Sequence, residues 1–198
     1  MTAKHLIIIR SICHYMARRT LIVSLLALSL TFAGCSRFGG VDSPTGPSSI
    51  TPKVYMEPAS QTGVSGREFT VKVYVENVSG LSYAQFDIVY DTAKVALPEN
   101  NWAEGTFLKQ DGATIILLVG SEQTITGTTV KRSVGVSRLG SNPGVSGTGI
   151  LCSFTFNASA TGNTTIDFDE DPASWGFMDV NNSPITITVG NGTTVNIL

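Results

Sequence analysis

Across residues 69–76 the chain reads Phe-Thr-Val-Lys-Val-Tyr-Val-Glu, with Phe69, Val71, Val73 and Val75 on every second position. Successive side chains of an extended strand point to opposite faces, so this period fits a strand with one buried face and cannot give a helix one apolar side. The pattern recurs. Ala84, Phe86, Ile88 and Tyr90 alternate with Tyr83, Gln85, Asp87 and Val89. Val130, Val134 and Val136 continue it, followed by Ile150, Cys152, Phe154 and Phe156, then Ile166 with Phe168. Ile185, Ile187 and Val189, then Val195 and Ile197, complete the set. The unbroken apolar run at 113–119 (ATIILLV) reads as a strand covered on both faces. Turn formers separate these runs, among them Ser141-Asn142-Pro143-Gly144 and Gly190-Asn191-Gly192. About nine short strands at this spacing predict an all-β fold, an antiparallel β-sandwich with jelly-roll topology.

The N-terminal part has a different character. From Met16 a basic pair, Arg18 and Arg19, precedes an apolar run over 21–32, then Ala33, Gly34 and Cys35. A basic head and a short apolar run are the marks of a secretory signal, and the run is shorter than the roughly 20 residues that span a bilayer. The small residues ending in Cys35 resemble the lipobox of bacterial lipoproteins, although Phe32 departs from the Leu, Val or Ile usual at its place. The expectation is a signal segment over 1–34, with residues 1–15 a start-site artefact ahead of Met16, and lipidation at Cys35. Residues 36–52 are rich in Gly, Ser and Pro and read as a flexible tether reaching roughly 20 Å. The chain is expected to be exported and lipid-anchored to the envelope. An outer-membrane or cell-surface address is favoured because Ser36, not Asp, follows the cysteine.

Beyond that segment, residues 35–198 hold nine basic residues, fifteen acidic ones and no histidine. Without an imidazole there is no Ser-His-Asp or Cys-His nucleophile. Scattered Lys and Arg in a net acidic domain make no nucleic-acid footprint. Cys152 is the last thiol, unpaired and in an apolar register, which predicts a small core residue. Asp167, Asp169 and Asp171 have the opening spacing of a calcium loop, but Pro172 and Met178 stand where the loop needs Gly and Glu, so no metal and no cofactor is expected. No catalytic residue is expected either.

The order of segments resembles the cohesin family, the receptor modules of cellulosomes and their non-cellulosomal relatives. The stretch 68–78 (EFTVKVYVENV) looks like the family's second strand, and 81–97 (LSYAQFDIVYDTAKVAL) is similar to its central strand, closed by Tyr90-Asp91. The stretch 134–158 (VGVSRLGSNPGVSGTGILCSFTFNA), followed by Gly162-Asn163-Thr164-Thr165-Ile166, is similar to the non-cellulosomal branch. The resemblance covers residues 53–198. It implies a nine-stranded jelly roll that docks a dockerin, a small calcium-loaded helical module, on one flat sheet face. By the same resemblance the partner-binding residues include Tyr83, Gln85 and Asp87, with Arg138 at the end of the next strand. Tyr83 and Gln85 stand where cellulosomal members often carry Asn and Asp, a departure from the standard specificity. The expected function is therefore non-catalytic docking of a dockerin-type protein, in polysaccharide degradation or cell-surface assembly. A rival is carbohydrate binding by exposed aromatics, with Trp102 and Tyr74 the candidates; a third reading is an envelope lipoprotein without a dedicated ligand. The membrane is reached only through the lipid.

Overall fold

The structure is a computed structural model that describes residues 51–198. The signal segment, Cys35 and all but the last two residues of the tether lie outside the described residues. Thirteen strands are present among the described residues: β1 (Lys53–Glu57), β2 (Ser60–Gly63), β3 (Glu68–Asp91), β4 (Val95–Ala96), β5 (Trp102–Glu104), β6 (Ile115–Val119), β7 (Gln123–Thr126), β8 (Thr129–Arg138), β9 (Val145–Ala158), β10 (Gly162–Phe168), β11 (Gly176–Asp179), β12 (Thr188–Val189) and β13 (Thr193–Ile197). The fold is all-β, as the alternation requires. The count exceeds the nine expected because β4, β5, β7 and β12 are fragments of two to four residues.

The 24-residue β3 organises both layers. Its first half pairs β1 on one side and β9 on the other; its second half pairs β8 on one side and β10 with β11 on the other. The change of sheet falls where Asn77 (φ 55°) and Gly80 (φ 67°) take left-handed conformations and the β9 register shifts. Both residue types tolerate that backbone better than most. The chain also changes sheet between β1, which pairs β3, and β2, which lies parallel to β13. One layer is therefore β12-β1-β3-β9 with β4 and β5 at its margin; the other is β2-β13-β10/β11-β3-β8-β6/β7.

Between the layers lies one apolar core. Phe69, Val71, Val73, Val75, Ala84, Phe86, Ile88 and Tyr90 of β3 are all buried, as the period-two reading requires, and Cys152, Phe154 and Phe156 of β9 meet them. Three local expectations fail. The run at 113–119 is covered on one face only: Ile115 is buried, while Ile116 and Leu118 are 37% and 61% exposed, because β6 is an edge strand with nothing packed on its outer side. Ile185 and Ile187 lie in a loop that packs on the core, and only Thr188–Val189 forms a strand there. A register shift opposite Val73 and Tyr74 also places Leu151 in the core and leaves Ile150 half-buried.

Candidate functional site

Residues opposite one another in a sheet share a face, so the registers define what the β11-β3-β8-β6 layer shows to solvent. One row runs Ile116, Ser137, Tyr83, Met178; the next runs Leu118, Gly135, Gln85, Gly176. Four strands span roughly 14 Å at the usual inter-strand spacing, more than the 10 Å diameter of a helix. The floor is low in the middle. A Cβ built on Gly135 would meet nothing within 4 Å. Ile116 and Leu118 stand as an apolar ridge on one side of it, and Tyr83 with Met178 on the other. The Tyr83 hydroxyl donates to the Gln85 side-chain oxygen, which fixes the two side chains relative to each other.

Neither row contains a formal charge. The charges next to them are already engaged. Asp87 follows Gln85 on the outward face but is 4% exposed. Its carboxylate takes the Lys131 ammonium at 3.1 Å and the Ser174 hydroxyl at 3.1 Å. The same Lys131 reaches Asp169 at 2.9 Å. That ammonium holds the Asp169 carboxyl below its ordinary value, and Asp169 in turn holds Lys131 up.

The four residues that the resemblance pointed to are thus divided. Tyr83 and Gln85 lie on the open face. Asp87 is enclosed by the loop after β10. Arg138 lies on the inward side of β8, with its side chain 1% exposed, donating to the Leu108 carbonyl and to the Asp111 carboxylate at 2.6 Å. It closes the gap between the layers, and its guanidinium is spent inside the molecule.

The two aromatics of the carbohydrate reading are not brought together. Trp102 pairs in register with the buried Phe154, shares its inner side and sits 5.8 Å from the Arg132 guanidinium. Tyr74 is on the outer side of β3, stacked on Tyr55 at 5.5 Å with 14° between the rings. They do not form a row. Trp175 packs against the sheet, with Phe168 at 5.3 Å and Phe86 at 6.4 Å.

Sequence reasoning missed Ile116, Leu118, Gly135 and Met178. An apolar run reads identically whether both faces are covered or one is left open. A usable signal lay in the partner strand, where Gly135 and Ser137 offer no bulk to cover the apolar side chains beside them.

A profile of the cohesin domain matches residues 54–197. Among solved structures, the chain is similar to a non-cellulosomal cohesin from the hyperthermophilic archaeon Archaeoglobus fulgidus, at 16% identity and a TM-score of 0.53, covering 75% of this chain and 91% of that one. A type I cohesin–dockerin complex from Clostridium thermocellum gives 16% identity and a TM-score of 0.54, with 75% and 99% covered. A type II cohesin domain from the cellulosome of Acetivibrio cellulolyticus gives 15% and 0.57, with 74% and 95% covered. At such identities the structural likeness speaks for the fold. No protein of curated function matches the chain.

Proposed function

The chain belongs to the cohesin domain family, and from that premise we propose that it is a non-catalytic receptor module whose β11-β3-β8-β6 face docks a dockerin-type protein. One observation carries the reading: a flat, uncharged face with an apolar ridge (Ile116, Leu118) beside an open floor at Gly135. Mixed faces with a few apolar or aromatic anchors suit protein partners, and a floor wider than one helix suits a helical one. The family match and the likeness to cohesins solved with dockerins support the class of partner. Tyr83 and Gln85 supply the polar contacts. The module is held at the cell envelope by a lipid on Cys35 through the tether over 36–52. Incorporation of labelled fatty acid that is lost in Cys35→Ser checks the anchor.

The docking reading predicts calcium-dependent capture of a dockerin-bearing protein from the source organism's own lysate. Leu118→Asp places an unpaired charge in the contact, and Gly135→Arg fills its floor. Each weakens capture by about 30-fold or more, the scale of a hot-spot loss. Neither substituted side chain packs in the core, so the melting temperature holds. Capture that both variants leave intact places docking elsewhere on the molecule.

A further inference from the structure

Strands β10 and β13 are paired from Gly162↔Ile197 to Ile166↔Thr193 and then part. Where they separate, the structure holds a cleft of about 600 Å³, within the size range of ligand pockets. A second hollow of about 390 Å³ adjoins it and shares Glu170, Trp175 and Val189. Both lie across β3 from the apolar ridge of the docking face.

Trp175 is a fixed wall between the two hollows. Its ring packs on Phe168 at 5.3 Å and Phe177 at 6.2 Å, and its Nε1–H donates to the Asp169 carbonyl at 3.0 Å. Around it the polar groups are mostly acceptors. Glu170 makes no hydrogen bond or ion pair among the described residues. Asp167 accepts only the neighbouring Phe168 N–H, at 2.8 Å through one oxygen. Asn191 uses its Nδ2 on the Gly192 carbonyl at 3.1 Å, which leaves its side-chain oxygen available. The loop opposite is close enough that a Cβ on Gly192 would meet Asp167 Oδ1 at 2.7 Å and the Ile166 carbonyl at 2.3 Å. Glycine at 192 is what allows loop and carboxylate to stand side by side.

A ligand for this cleft therefore has one apolar face for the indole and many hydroxyl donors for the acceptors. We propose that the cleft binds a saccharide, with a ring face against Trp175 and hydroxyls donating to Asp167, Glu170 and the Asn191 side-chain oxygen. A cation fits less well. Asp169 is already answered by Lys131, a single indole is no aromatic cage, and no group of three or more metal-ligating side chains exists among the described residues. The cleft shares no lining residue with the two rows of the docking face, although the second hollow borders that face at Gly176 and Met178; the saccharide reading does not depend on docking.

The full chain carrying Trp102→Phe leaves Trp175 as its one tryptophan, so indole emission reads the cleft directly. Titration with gluco-, xylo-, manno- and galacto-configured disaccharides, and with choline as the cationic control, is expected to give a saturable change for at least one sugar. Glu170→Ala combined with Asn191→Ala, two changes outside the core, weakens that sugar about tenfold by removing two hydrogen bonds. The proposal is overturned by a flat response to every sugar, by a response to choline alone, or by a sugar response that the double variant leaves unchanged.

Discussion

Two arginines occupy the inward register of β8, which runs Val130, Arg132, Val134, Val136, Arg138, all buried. Each guanidinium meets at least one carboxylate. Arg132 pairs with Glu99 at 3.1 Å and Glu122 at 3.3 Å, and the Tyr90 hydroxyl donates to the same Glu122 at 2.7 Å. Arg138 has the Leu108 carbonyl and Asp111. Buried guanidinium groups need this many acceptors, since an unanswered one costs several kcal/mol. Cys152 is the opposite case, a thiol that burial alone pushes far up and that nothing polar approaches. Thiolate is the reactive form, so Cys152 is expected to resist iodoacetamide in the native protein and to react only on global unfolding. Peptide mapping after alkylation with and without denaturant checks this; native-state labelling at the rate of a free thiol contradicts it.

At the scale of elements, β3 was the most legible part of the sequence and the edge strands the least. Alternation over 69–75 and 84–90 marked the buried side chains correctly, because a strand central to two layers leaves its inward residues no other place. It could not show that the two stretches are one strand, since the bend at Asn77 and Gly80 looks like a hairpin turn when only turn chemistry is counted. Arg138 was legible too: continuing the β8 alternation from Val130 puts it inside, whereas its place at the strand end suggested a surface. The open face of β6 depends on which strand lies next to it, and no local pattern records that. The bend also carries a close crossing. A Cβ on Gly144 would lie 1.9 Å from the Gly80 carbonyl oxygen, a backbone atom that cannot turn aside. Gly144→Ala is expected to destabilise the fold by about 2 kcal/mol or more, a drop of roughly 5 °C in melting temperature. A thermal melt matching the parent's would mean that the two turns separate freely.

For the whole molecule, charge placement sets the response to pH. Four carboxyls are held below their ordinary values: Asp111 by the Arg138 guanidinium, Asp169 by the Lys131 ammonium, Asp91 by the Thr128 side chain and the Ala93 amide, and Asp179 by the Ser183 amide. A carboxyl depressed by folding adds stability that is complete above its unfolded value, about 3.9 for Asp, and is lost as pH falls through the folded one. At the other end, burial pushes the Tyr55, Tyr74 and Tyr90 phenols up. The unfolded chain therefore ionises first, and stability falls once pH passes the unfolded tyrosine value of about 10. Lys131, raised by Asp169 and Asp87, loses its contribution in the same alkaline direction. Between these limits residues 35–198 offer no histidine to titrate. Melting temperature is expected to be level from about pH 5 to 9 and to decline on both sides. Docking should be level over the same range, since neither row of the face carries an ionisable carboxylate, ammonium or guanidinium. Melts from pH 3 to 11, with partner titrations at about pH 5.5 and 8, test both statements. A step in either quantity near neutrality would contradict both statements.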